Sequence, residues 1–201
     1  MVVGVDAYPG NPLTKCVKDA RDVSATLQLQ EYGFQVTELL DEEVTRRRFA
    51  EYVNIFFREE ADFYVLYFSG HGWSTDMGVH LVTVDADEID QGTSLDSIRN
   101  LITNVAPQGA SVLLMLDCCH SGAALPSSLP DSGIRVRSDD VLKSMVYLPE
   151  GRVLIAACRG DEVAFEGPDL EHSVFTEFLL SGLLGEAADI NGESGVFTSL
   201  R

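Results

Sequence analysis

The chain has few basic residues, no long apolar run and no paired metal-type cysteines. Fourteen Lys and Arg stand against 32 Asp and Glu, a formal net charge of −18. A surface of that sign repels nucleic acid and anionic lipid and favours cationic partners. A highly soluble acidic surface without a specific partner is the plain alternative. No stretch approaches the roughly 18 apolar residues that a membrane helix needs, so no membrane insertion is expected. The strand-like opening MVVGVDAY has no basic leader before it, so no secretory signal is read. The four cysteines (Cys16, Cys118, Cys119 and Cys158) show no C-x-x-C spacing, which argues against zinc. Adjacent cysteines make a poor disulfide with each other, so a reducing, cytoplasmic location is expected.

What is present is a globular chain of 201 residues, 45% hydrophobic, enough for a single domain with its own core. The abrupt start and the end at GVFTSLR read as a fragment of a longer protein. Strands are expected at 1–5, 34–40, 63–68, 111–116 and 152–158, and three of these runs are almost continuously apolar, as strands covered on both faces should be. Helical stripes lie between and after them: Leu13, Val17, Ala20, Leu27; Phe49, Tyr52, Val53, Phe56; Leu95, Ile98, Leu101, Ile102, Val105; and Val174, Phe175, Phe178, Leu179. This alternation predicts a mostly parallel sheet between helices, with ligands bound beyond the carboxyl ends of the strands.

Those ends carry the chemistry. SGHGW follows the third strand and DCCHSG the fourth, so a histidine and two cysteines leave neighbouring strands at one sheet edge. A thiol is mostly protonated at neutral pH, and a nearby imidazolium lowers its pKa. The same imidazole can then protonate a leaving amine. Flanking glycines let backbone N–H groups approach a developing oxyanion, and Gly72 and Cys119 are the natural donors. Either element alone reads as packing; together, at adjacent strand ends, they point to a nucleophile and a base.

YFSGHG followed by LDCCHSG resembles the catalytic signature of caspase-like cysteine peptidases, specifically metacaspases and their prokaryotic relatives. The similarity extends over VVGVDAYP…CVKDARD, EYGFQVTELLDEEVTR and AACRGDEVAFE…HSVFTEFLL. The resemblance implies a three-layer α/β/α sandwich with a mostly parallel six-stranded sheet, its last strand antiparallel and falling around GVFTSL. It divides the domain into a large part, about 1–124, a mobile connection, about 125–148, and a small part, about 149–201. It also implies His71 as general acid/base and Cys119 as nucleophile, leaving Cys118 for packing. Successive residues leaving a strand face opposite ways, so His120 should point away from the Cys119 thiol. His172, at a helix start, and His80, in a loop or short strand, are further rivals for the base.

The pocket for the residue before the scissile bond (P1) follows from alternation and charge. Asp117 shares a face with Cys119, Ser69 with His71, and Cys16 with Asp19 at i, i+3. Two carboxylates beside the nucleophile match a guanidinium through charge-assisted hydrogen bonds, and an empty pocket of this kind should be wet. Metacaspase-type pockets are lined in this way and select Arg or Lys, so Cys16, Asp19, Ser69 and Asp117 are the substrate-binding candidates. True caspases bind Asp through arginines and have Gln where Asp117 stands. A local capping or pairing role for the two aspartates is the competing reading.

Arg135, Arg137 and Lys143, in the Pro- and Ser-rich connection, are candidate self-cleavage sites. No cofactor is required, although many metacaspases depend on calcium. Asp85, Asp87 and Asp90, with Asp96 nearby, could supply its oxygens, in a spacing that fits no known loop motif and equally describes a solvated acidic face. The expected activity is a cysteine endopeptidase cutting after Arg or Lys through a thioester, self-processing, and acting in regulated proteolysis or cell-death or defence signalling. Its partners would be a protein or peptide with a basic P1 residue, plus additional domains or a regulatory partner. The alternatives are a silent caspase-like interaction domain, a protease cutting after Asp, and a non-proteolytic cysteine hydrolase.

Overall fold

The computed structural model describes residues 1–75, 78–87, 89–118, 141, 148–157 and 170–185. Five parallel strands form the main sheet: β1 (Val2–Gly4), β2 (Glu38–Leu40), β3 (Phe63–Gly70), β7 (Ser111–Cys118) and β8 (Arg152–Ala156), in the order β2-β1-β3-β7-β8. Among the described residues the longer α-helices are α1 (Cys16–Leu27), α2 (Arg46–Phe56), α3 (Leu95–Asn104) and α4 (Val174–Leu183). The expected antiparallel last strand around 195–200 lies outside the described residues, as does nearly all of the 125–148 connection.

The unbroken apolar runs are explained by two cores. Along β3, Tyr64, Leu66 and Phe68 face a cluster with Phe49 and Val53 of α2 and Ile98 and Ile102 of α3. Val65 and Tyr67 face the other side, packing with Ala20, Val23 and Leu27 of α1 and Leu180 of α4. Strand β7 alternates likewise, with Leu114, Leu116 and Cys118 in the first cluster and Met115 in the second. The result is three layers, with α1 and α4 on one face of the sheet and α2 and α3 on the other.

Helix α1 lies close against β1. A Cβ on Gly4 would sit 2.5 Å from the Cys16 carbonyl oxygen and 2.6 Å from the Ala20 Cβ, so glycine is required there. The Lys15 side chain makes no cap for α1; the Asp6 carboxylate accepts from the Cys16 and Val17 N–H groups at 2.9 and 3.1 Å instead. The strand expected over 34–40 is paired only at 38–40, because its partner β1 offers three residues. Ahead of it, Phe34 and Val36 pack against the α1 side of the core.

A second, three-stranded antiparallel sheet was not evident in the sequence: β4 (Gly72–Thr75), β5 (Gly78–Leu81) and β6 (Thr93–Ser94). Its strands of two to four residues are too short to show an alternation. It grows directly out of the end of β3, and so it frames the residue between β3 and β4, His71.

Candidate active site

Strands β3 and β7 pair over their whole length, ending in Ser69 beside Asp117 and Gly70 beside Cys118. His71 is the next residue after β3. Cys119 is the next after β7 and lies outside the described residues, as do His120, Arg135, Arg137 and Lys143. Cys118 is 1% exposed and sits in the α2–α3 core, a packing position.

His71 is buried, and the β1–α1 loop holds it from three directions. Its backbone N–H donates to the Tyr8 hydroxyl at 3.0 Å, and that hydroxyl donates to the Val82 carbonyl at 3.0 Å. The Tyr8 ring lies against the imidazole with centroids 4.5 Å apart. The imidazole Nε2 is 3.0 Å from the Asn11 carbonyl oxygen, which can only accept, so Nε2 carries the proton and Nδ1 is the basic nitrogen of the neutral ring. Glycine at position 70 is what admits Tyr8: a Cβ there would lie 2.4 Å from its hydroxyl. The loop is held in turn by Asp41, whose carboxylate accepts from the Asp6 and Ala7 N–H groups at 2.7 and 2.9 Å. Gly72, the expected oxyanion donor, opens β4 opposite Leu81.

Cys16, Asp19, Ser69 and Asp117 come together on the α1 side of this edge, all at 3% exposure or less. Burial pushes the Cys16 thiol well above its ordinary range, against the opposing pull of the Ser69 hydroxyl, so Cys16 is not a thiolate. Burial likewise raises the Asp19 carboxyl, and the nearby Asp117 adds to this, while hydrogen bonds from His172 and Ser173 act the other way.

Protein groups at the start of α4 engage both carboxylates. Asp19 accepts from His172 Nδ1 at 2.8 Å and from the Ser173 N–H at 3.2 Å. Asp117 accepts from the Ser173 hydroxyl and from Thr176 Oγ1 at 2.7 Å. Thr176 Oγ1 is also 2.6 Å from the Tyr67 hydroxyl, and Ser173 caps α4 by accepting from the Thr176 N–H at 3.2 Å. In the sequence His172 reads only as a rival base, and Ser173 and Thr176 carry no signal of their own. Nothing in local periodicity marks them, because their partners lie 56 to 154 residues away.

The other rivals fall elsewhere. His80 sits in β5 across from Trp73. The calcium candidates surround a guanidinium: Arg46 is 3.4, 3.6 and 3.2 Å from carboxylate oxygens of Asp85, Asp87 and Asp90. Asp85 also accepts from the Arg46 N–H at 2.8 Å, and Asp87 from the Ile89 and Asp90 N–H groups at 2.9 Å. Asp96 pairs with Arg99 at 3.0 Å. Arranged in this way the carboxylates serve an arginine and do not form the oxygen shell that calcium takes. Among the described residues no group of three or more His, Cys, Asp or Glu side chains is placed to hold a metal ion. No helix of the described residues is long and apolar enough to cross a membrane.

A three-layer sandwich in which a histidine and a cysteine directly follow adjacent parallel strands is the arrangement of a caspase-like cysteine peptidase domain. The chain belongs to the caspase family: residues 1–193 match the Caspase domain of peptidase family C14. A solved structure, protein GSU0716 from Geobacter sulfurreducens, is similar to it at 26% identity and a TM-score of 0.50, over 61% of this chain and 50% of that one. The chain thus matches about half the length of that protein. A search of curated proteins found no match.

Proposed function

We propose that this domain is a cysteine endopeptidase that hydrolyses peptide bonds after Arg or Lys, with His71 and Cys119 as its dyad. The observation that carries the reading is the β3–β7 register, which pairs Gly70 with Cys118 and so makes His71 and Cys119 the next residues of adjacent strands. The His71 Nδ1 takes the Cys119 thiol proton, the thiolate attacks the scissile carbonyl, and the N–H groups of Gly72 and Cys119 receive the oxyanion. The imidazolium protonates the departing amine, and water hydrolyses the thioester with the imidazole again acting as base. Asp19 and Asp117 form the acidic end of the P1 pocket, supported by Cys16 and Ser69. The substrate is a protein with an exposed basic residue, cut in regulated proteolysis. Arg135, Arg137 and Lys143 are the sites for self-processing.

Fluorogenic peptides with Arg, Lys or Asp at P1, assayed on the wild type, Cys119→Ala and Cys118→Ala with and without calcium, test the reading. Cleavage after Arg and Lys that is lost in Cys119→Ala and retained in Cys118→Ala is expected. Preference for Asp would reverse the specificity, and inactivity under every condition would favour a silent interaction domain. Calcium-dependent turnover would require a site other than the Arg46-bound carboxylates.

A further inference from the structure

His172 is 9% exposed, and the dyad mechanism gives it no task. Its Nδ1 faces the Asp19 carboxylate at 2.8 Å, an acceptor, so Nδ1 carries a proton and the variable proton of this ring is the one on Nε2. Nε2 lies between two groups of opposite kind, Lys18 Nζ at 3.2 Å and Asp22 Oδ2 at 3.5 Å, which are themselves paired at 2.9 Å. An ammonium can only donate and a carboxylate can only accept. The neutral ring therefore accepts from Lys18 and the imidazolium donates to Asp22, so each charge state has a partner already in place. The remaining charged groups around it are Lys15, which donates to the His172 carbonyl at 3.3 Å, and Glu171, paired with Lys18 at 3.2 Å. Asp117 is joined to the same unit through Ser173.

The group that occupies Asp19 is thus a nitrogen donor able to carry positive charge, the same chemistry as an Arg or Lys side chain. We propose that His172 is the resident counter-cation of the P1 pocket and a determinant of its specificity. It competes with the substrate's basic side chain for Asp19, and it competes harder when protonated. Binding of a basic P1 group therefore weakens as the medium is acidified, separately from any loss of catalytic turnover. The inference rests on the reading of Asp19 and Asp117 as the P1 pocket.

Benzamidine, an amidinium probe of that pocket, provides the test through its competitive inhibition constant against a P1-Arg peptide. In the wild type the constant is expected to rise about tenfold from about pH 8 to about pH 5.5. In His172→Gln, which keeps a donor but does not titrate, the rise is reduced to the part that comes from proton uptake by Asp19 itself, whose carboxyl pKa burial raises. Asp22→Asn removes the partner of the imidazolium and reduces the rise; Lys18→Met removes the partner of the neutral ring and enlarges it. Both side chains are nearly half exposed, at 44% and 45%, so these two variants carry the test even if His172→Gln fails to fold. A rise in His172→Gln equal to that of the wild type overturns the proposal, as do shifts of the same sign in Asp22→Asn and Lys18→Met. An Asp19→Asn arm separates the two ideas. If Asp19→Asn leaves benzamidine inhibition and P1-Arg preference intact, the pocket reading fails and the inference with it. If Asp19→Asn abolishes both while His172→Gln behaves as the wild type, only the inference fails.

Discussion

Tyr8 is the side chain on which the geometry of His71 depends most directly. Its hydroxyl bridges a buried N–H and a buried carbonyl, and its ring backs the imidazole. Burial holds the phenol well above its ordinary pKa, so it stays a neutral donor at every working pH. Tyr8→Phe keeps the ring and strands both backbone groups, which should cost about 1–3 kcal/mol in urea denaturation. Catalysis should suffer more than binding, with kcat falling roughly ten- to a hundredfold and KM staying within about twofold, because the imidazole loses its fixed approach while the acidic pocket is untouched. Equal changes in kcat and KM would count against a positioning role for Tyr8. Position 71 could be read from the sequence because SGHG follows an unmistakable strand. Its dependence on Tyr8 and Asn11 could not, since they lie 63 and 60 residues away along the chain.

At the scale of elements, α1 packs against β1 with no room for a side chain at Gly4. Gly4→Ala would drive a methyl into the Cys16 carbonyl and the Ala20 side chain, and backbone cannot yield as a side chain would. A loss of about 1–3 kcal/mol is expected, read as a lower denaturation midpoint with an unchanged slope. The β4–β5 hairpin makes a prediction about pH. Burial lowers the pKa of His80 in β5, against the opposing Gly78 backbone, Asp90 and Asp96. The unfolded chain then takes up the proton before the folded one. The stability this residue contributes is present above its unfolded value of about 6.5 and is lost as pH falls through the folded value. His80→Gln should flatten the decline in stability between neutral and mildly acid pH, measured by urea denaturation. A slope identical to that of the wild type would show that another group carries it. The long strands β3 and β7 were legible because burial on both faces makes them continuous in the sequence. The short β4–β6 sheet was not, because its pairing is set by the course of the chain around His71 rather than by any periodic run.

Across the whole molecule, two of the contacts between residues 1–118 and residues 148–185, among the described residues, bear on how the halves of the chain hold together. Strand β7 pairs with β8 from Val112 beside Arg152 to Leu116 beside Ala156. On the α1 face, the carboxylates of Asp19 and Asp117 tie down the start of α4 through His172, Ser173 and Thr176. The sequence showed both carboxylates and assigned them to a ligand. That they also fasten α4 escaped it, because polar residues at a helix start carry no period that names a distant partner. A cut at Arg135, Arg137 or Lys143 would fall between the two segments, and the strand pair together with the buried Asp19 and Asp117 bonds should keep the pieces as one particle. After prolonged incubation of the wild type, mass spectrometry should find two fragments where size-exclusion chromatography under native conditions still shows a single peak. Asp117→Ala leaves the Ser173 and Thr176 hydroxyls without their shared acceptor. Nicking Asp117→Ala with added trypsin, since its own activity is expected to fall, should release the small fragment at a lower urea concentration than in the nicked wild type. Release at the same concentration would mean that the Asp117 bonds to the start of α4 do not hold the two segments together, and that Asp117 serves the substrate rather than the fold.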